Sequence, residues 1–260
     1  MAHHAHSLTT IRNPRYGWLP DLPDHRDKLY LHVMKLIEKL PKTIDLRKND
    51  SPIQDQGQLG SCTANALAGN LDYIKKQKIN ETETFSRLFI YYNERVIEHT
   101  VGTDSGAMLR DGIKTLVNLG ACFENEWPYD IDKFTDKPSE KAFKDALDYQ
   151  ITSYYRLGSL DEMKNTLALG FPFVFGFSVY ESFESEDVAK TGIVPMPGKS
   201  ERLLGGHAVM AIGYDDEKKR FIIRNSWGSS WGDRGYCYMP YDYLSDDNLA
   251  SDFWTVRDME

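Results

Sequence analysis

The chain has 260 residues, 41% of them hydrophobic, and a formal net charge of −8. That length suits one large domain or two closely packed lobes. An acidic chain without a lysine or arginine stripe argues against nucleic acid or an anionic membrane surface as a partner, and no apolar run approaches a membrane span.

In chain order, His3, His4 and His6 read as a tag-like end rather than a metal site. Residues 11–27 are rich in proline and aromatic side chains and are expected to be extended or turn-like, because proline denies helix to its neighbours. Leu31, Met34, Ile37 and Leu40 recur at threes and predict a short helix over 31–40, ended by Pro41. In the stretch 56–67, Gly57 and Gly60 supply a turn, Ser61 is a candidate N-cap, and a helix follows. Ala64, Leu67, Ala68, Leu71 and Ile74 line one of its faces, and Lys75, Lys76 and Lys78 suit the negative end of its dipole. Further helices are predicted over 85–98, over 110–119 with Gly120 as cap, and over 139–146.

From Ile151 onward the pattern changes to strands punctuated by glycine and proline. A helix over 160–169, capped by Ser159 or Asp161, interrupts them. A strongly apolar strand is predicted over 171–179 and a loop over 183–197. Then come a strand headed by His207, a turn at Asp215-Asp216, a strand ending at Asn225, and a strand over 235–239.

Cys62 opens its predicted helix. That position lowers a thiol pKa and favours the nucleophilic thiolate, and the outward N–H groups there can receive an oxyanion. A thiolate nucleophile needs a base, and the base needs a group to orient it. His207, in Gly205-Gly206-His207-Ala208, and Asn225, in Arg224-Asn225-Ser226-Trp227-Gly228, supply those types downstream in that order. With Gln56 on the loop before Cys62, these motifs resemble the papain-like cysteine proteases, the cathepsin family, over roughly Leu40 to the C-terminus.

The resemblance implies an α+β, two-lobe fold: a helical lobe facing an antiparallel β-barrel-like lobe, with the active site in the cleft between. Residues 1–40 are then an N-terminal extension, 41–150 the helical lobe with the nucleophile, and 151–260 the β-rich lobe with His and Asn. It also implies a Cys62 nucleophile, His207 as general base and acid, and Asn225 holding the imidazole tautomer. Gln56 completes an oxyanion hole with the Cys62 N–H, and Trp227 covers the His207–Asn225 pair. Gly106 matches the last glycine of a loop that pairs with substrate backbone. Ala107 and Met108 border the main specificity pocket, with Gly205 and Gly206 opposite. These predict a roomy apolar pocket without a fixed charge, selecting the residue two before the cut.

No cofactor or metal is implied, and the expected partner is a peptide or protein substrate acted on by a monomer. The sequence departs from the family where Leu59 replaces a disulfide-forming cysteine and Thr63 replaces the tryptophan after the nucleophile. Cys122 and Cys237 are expected to be free core thiols. Together with the absence of a signal-like N-terminus, that points to a cytoplasmic or otherwise reducing compartment, although a chain trimmed of its signal would look the same. The N-terminal extension reads either as an abbreviated inhibitory prosegment or as a permanent structural strap. Two other functions fit the same residues: a catalytically silent peptide-binding member of the fold, and an acyl transferase or amidase using the same triad.

Overall fold

A computed structural model describes residues 16–79 and 81–260; the His3, His4 and His6 cluster lies outside them. The described chain opens with a two-residue strand, β1 (Trp18–Leu19), followed by β2 (Thr43–Asp45). Four helices follow: α1 (Cys62–Ile79), α2 (Arg87–Ile97), α3 (Leu109–Asn118) and α4 (Glu140–Ala146), with the two-residue β3 (Ala107–Met108) just before α3. The second half runs β4 (Ile151–Arg156), α5 (Leu160–Ala168), β5 (Phe173–Tyr180), α6 (Glu186–Thr191), β6 (Leu203–Asp215), β7 (Arg220–Arg224), β8 (Tyr236–Pro240), α7 (Tyr241–Ser245) and β9 (Ala250–Met259).

The helix ends follow local chemistry. Ser86, Ser139, Ser159 and Ser185 each accept a backbone N–H at the start of α2, α4, α5 and α6. Gly120 sits in the left-handed region after α3. Ser61 differs from its predicted capping role: its hydroxyl meets the Tyr129 hydroxyl and accepts from Asn65 Nδ2. α1 is buried on nearly every side from Cys62 to Lys75, as a helix at the centre of a fold must be. It packs between α2 and α3 on one side and β6 on the other.

The main sheet runs β4-β9-β5-β6-β7-β8, all antiparallel, with β2 added on β6. Its path is open rather than a closed barrel. One apolar core lies between α1 and the sheet and includes Leu67, Leu71, Met210, Ile212 and Trp254. A second lies within the β-rich lobe around Phe173, Phe175, Phe177, Phe221 and Trp227. Leu59 is buried in the first core, so the position that carries a cysteine in the family is filled here by apolar packing. Cys122 and Cys237 are free and buried in separate places.

Several expectations need correction. The predicted helix over 31–40 is not formed. Only Tyr30–His32 makes a 3-10 turn, because Tyr30 is drawn into the β-lobe core and Asn165 Oδ1 takes the Ile37 N–H at 2.8 Å. The predicted loop over 183–197 contains α6. The helical lobe was expected to begin at 41. Instead β2 joins the sheet, the Tyr214 hydroxyl donates to the Pro41 carbonyl at 2.7 Å, and Leu46 N–H donates to Ile212 O at 3.0 Å. α7 and β9 carry no prediction, yet β9 lies between β4 and β5.

Candidate active site

The loop before α1 is clipped to the loop after β7. Gln56 N–H donates to Ser226 O at 2.8 Å, and Ser226 Oγ donates to Gln56 Oε1 at 2.6 Å. Gln56 Nε2 donates to Leu59 O at 2.9 Å. This clip sets Cys62, the first residue of α1, against the head of β6. The backbone N–H of Ala208 lies near enough to the Cys62 sulfur to favour its thiolate. Thr63 turns inward, and its hydroxyl donates to Glu94 Oε2 at 2.8 Å. Burial holds the Glu94 carboxyl far above the usual range, so Thr63 faces a neutral acid.

His207 stands on β6 opposite Phe177 and is fully buried. Its Nε2 lies 2.8 Å from Asn225 Oδ1. That oxygen also accepts the Ser226 N–H at 2.8 Å, which fixes the amide orientation. The Trp227 indole stacks on the imidazole at 4.9 Å between centroids, and Phe177 meets it edge-on at 5.7 Å. Nδ1, the other ring nitrogen, has no hydrogen-bond partner among the described residues.

The cleft is occupied by the chain's own N-terminal segment. β1 pairs in parallel with β3, Trp18 beside Ala107 and Leu19 beside Met108, and Ala107 N–H donates to Gly17 O at 2.7 Å. The Gly17 N–H lies near enough to the Cys62 sulfur to favour its thiolate. The Tyr16 ring lies 6.3 Å from both the His207 and the Trp227 rings, and its hydroxyl donates to Glu184. The approach is close enough to need glycine: a Cβ on Gly17 would stand 1.7 Å from Gly60 O. A Cβ on Gly205 would stand 2.7 Å from the Tyr16 ring, and one on Gly206 2.5 Å from Trp18 O. Every residue that the family resemblance assigns to substrate backbone or pocket, namely Gly106, Ala107, Met108, Gly205 and Gly206, thus touches this segment or sits beside a residue that does.

Beyond the cleft the segment is tied down by charge. Arg110 bonds Asp27 through Nε at 2.8 Å and Nη2 at 2.7 Å. Arg156 bonds Asp27 at 2.7 Å and Asp252 at 3.1 Å. Asp21 accepts from Arg110 N–H and from Trp254 Nε1, both at 3.0 Å. Sequence reasoning missed Asp21, Arg110, Arg156, Glu184 and Asp252. The predicted charge-free pocket is also corrected: Asp252 closes the end of the slot that Trp18 fills, with Trp18 Nε1 donating to its Oδ2 at 3.1 Å.

Occupation changes the proton chemistry. A helix N-terminus favours thiolate, but burial under the segment pushes the Cys62 thiol up to about 12, against the opposing Ala208 and Gly17 N–H groups. Burial likewise brings the His207 imidazole down to about 4, although its hydrogen bond to Asn225 favours the cation. Covered in this way, the pair is a neutral thiol beside a neutral imidazole.

The model of the papain family cysteine proteases matches residues 40–252, and the chain belongs to that family. It is a cysteine peptidase by class. A peptidase C1-like protein of Acanthamoeba polyphaga mimivirus is 44% identical over 96% of this chain and 89% of its own length. Cysteine proteinase 3 of Dictyostelium discoideum is 28% identical over 83% of this chain and 63% of its own. Among solved structures, xylellain, a cysteine protease from Xylella fastidiosa, superposes with a TM-score of 0.85 at 43% identity, covering 98% of this chain and 100% of its own. The procathepsin B S9 of Trypanosoma congolense shares the fold, with a TM-score of 0.72 at 17% identity over 94% of this chain and 86% of its own.

Proposed function

We propose that the chain is an endopeptidase that cleaves peptide bonds through Cys62, His207 and Asn225, and that residues 16–19 hold it closed. With the cleft open, a peptide carbonyl reaches the Cys62 sulfur. His207 takes the thiol proton, the thiolate attacks, and the oxyanion is received by the Cys62 N–H and the Gln56 side-chain amide. Asn225 keeps the imidazole oriented with Nδ1 toward the sulfur. The imidazolium protonates the leaving amine and then draws a proton from the water that releases the acyl group. The observation that carries this reading is the imidazole bridged to Asn225 at 2.8 Å, its other nitrogen buried without a hydrogen bond among the described residues, with the N–H of the next residue, Ala208, acting on the cysteine at the start of α1.

The same geometry supports an inhibitory role for the segment. It gives its Gly17 carbonyl to the Ala107 N–H at 2.7 Å and leaves no room for a Cβ at Gly17, so it fills the space over the nucleophile. Both readings are tested with a Gly17→Ala substitution in the full chain, which cannot seat against Gly60. Hydrolysis of fluorogenic dipeptide amides is expected to rise at least tenfold and to vanish in the Cys62→Ala control. No Cys62-dependent hydrolysis in a folded Gly17→Ala chain would favour a silent binding module. Transfer of the acyl group to an added amine in place of the free acid product would favour a transferase.

A further inference from the structure

The channel that Gly17 occupies has two walls, and a polar relay ties them together. One wall is Gly60, in the loop before α1; a Cβ on Gly17 would stand 1.7 Å from its carbonyl oxygen. The other is Gly106, just before β3, where a Cβ would stand 2.2 Å from Gly17 O. The next N–H along that wall, on Ala107, holds Gly17 O at 2.7 Å. The three cysteines are free, so no disulfide joins the walls.

Asp104 and Tyr91 join them instead. The Gly60 N–H donates to the Asp104 carboxylate, at 3.0 Å to Oδ1 and 3.2 Å to Oδ2. The Tyr91 hydroxyl donates to Oδ1 at 2.6 Å and accepts the Gly106 N–H at 3.1 Å. The relay thus runs from one wall to the other through a carboxylate and a phenol, and bonds to an ionised acceptor are the stronger kind. Its members are themselves held. Tyr91 stands on α2 and is fully buried; burial and the Asp104 carboxylate raise its phenol far above the usual value, so it stays a donor. Arg95, one turn later on α2, lies over the Tyr91 ring with Cζ 4.1 Å from the centroid. Its Nη1 donates to Val101 O at 2.8 Å and Thr103 O at 3.2 Å, fixing the stretch that presents Asp104. Gly60 and Gly106 are both buried, and a buried N–H that loses its acceptor is costly.

We propose that Asp104 and Tyr91 are positioning residues, a non-covalent clasp that sets the width of the backbone channel beside Cys62. The clasp aligns the covering segment and, once that lifts, the backbone of a peptide substrate. The inference rests on the peptidase reading above. The clasp acts through the backbone of Gly60 and Gly106, so its effect falls on alignment of the bound chain rather than on the thiol.

Two measurements on the full chain test this. The first is a double-mutant cycle of Asp104→Ala and Gly17→Ala, read by the rate of Cys62 alkylation with iodoacetamide, a small reagent that needs no aligned backbone. With Gly17 present, Asp104→Ala is expected to speed alkylation about tenfold, because the seat widens and the segment lifts; in Gly17→Ala the further change stays within about twofold. Additive effects would overturn the proposal. The second uses the Gly17→Ala chain and fluorogenic dipeptide amides. Asp104→Ala and Tyr91→Phe are each expected to raise KM about tenfold with kcat changed by less than about threefold, and the two together to cost no more than either alone, because both cut one relay. Asp104→Asn keeps an oxygen that can accept from both donors and should recover most of the loss. A loss confined to kcat, an additive pair, or no recovery in Asp104→Asn would sink the idea. Equal changes in alkylation and hydrolysis within the Gly17→Ala chain would mark a general loosening and sink it too. An unchanged KM throughout would strike the clasp and leave the peptidase reading intact. A coupled alkylation cycle without Cys62-dependent hydrolysis would do the reverse, striking the peptidase reading and leaving the clasp as the segment's seat.

Discussion

The two halves of the N-terminal segment are built differently. Residues 16–19 lie on the reacting groups through a two-residue strand, a few ring contacts and the Trp18–Asp252 bond. Residues 21–41 are fastened by buried charge and core packing: Asp21 and Asp27 on Arg110 and Arg156, Tyr30 in the β-lobe core with its hydroxyl accepting from Asn165 Nδ2 at 2.7 Å, and Pro41 on Tyr214. On the proposed reading, the difference teaches that inhibitor and strap are two ends of one segment. The near end would block by contacts weak enough to break, and the far end is packed into the fold.

The sharpest way to break this comparison is at the far end. Arg110→Ala removes the cation 4.0 Å from Asp21 and leaves Asp27 dependent on Arg156, with both carboxylates nearly inaccessible to solvent. Removing one partner of a buried charge cluster costs about 3 kcal/mol, and the midpoint of thermal unfolding is expected to fall by roughly 6 to 12 °C. A shift below 2 °C would show that the anchor is dispensable. At the near end the expectation is opposite. Gly17→Ala should raise the rate of Cys62 alkylation at least tenfold and change global stability by less than about 1 kcal/mol, because only the end of the chain lifts. A large loss of stability in calorimetry would show that both halves belong to one cooperative unit.

A smaller effect concerns the His207–Asn225 pair. Asn225→Ala in the Gly17→Ala chain should lower kcat by about tenfold to a hundredfold with little change in KM, because the imidazole loses its orienting acceptor. An unchanged kcat would mean that Trp227 and Phe177 hold the ring by packing alone.

The smallest expected effect is on pH. Burial beneath Tyr16 raises the Glu184 carboxyl above its ordinary value of 4.5, although the Tyr16 hydrogen bond lowers it. Burial and the neighbouring Asp252 also push Asp21 up to about 6, but Asp21 belongs to the half that stays attached. A group whose value is raised in the docked state favours docking where it is protonated. Docking is therefore strongest below the free carboxylate values and weakens as pH rises through the raised ones. Asp27 opposes this: burial would raise it, but its Arg110 and Arg156 bonds bring it below the usual range, and it sits in the half that stays attached. The alkylation rate of the native chain, divided by that of Gly17→Ala, should thus climb as pH rises above the ordinary glutamate value of 4.5 and be flatter in Glu184→Gln. A ratio that falls with pH would reverse the sign of the coupling.

Much of the site is legible in one dimension. Gln56, Cys62, His207 and Asn225 are recognisable by type and order, because each stands in a motif whose glycines or apolar run prescribe a local conformation. The helices α1, α2, α3 and α5 are equally legible, since their apolar spacing and serine or glycine ends are properties of short windows. The helix predicted over 31–40 fails for a complementary reason. Its spacing is helical, but Asn165 and the pocket for Tyr30 compete for the same backbone and win.

What the residues determined by themselves is the family, the identity of the candidate reacting groups, and the helices whose ends they cap. Tertiary structure alone decided what lies over those groups. The seating of Gly17 against Gly60, the bulge that turns Asp252 into the Trp18 slot, and the salt bridges from Arg110 and Arg156 all join residues far apart in the chain. Local propensity reads neighbours along the backbone. A proton affinity set by burial, or a pocket ended by a carboxylate, depends on neighbours in space.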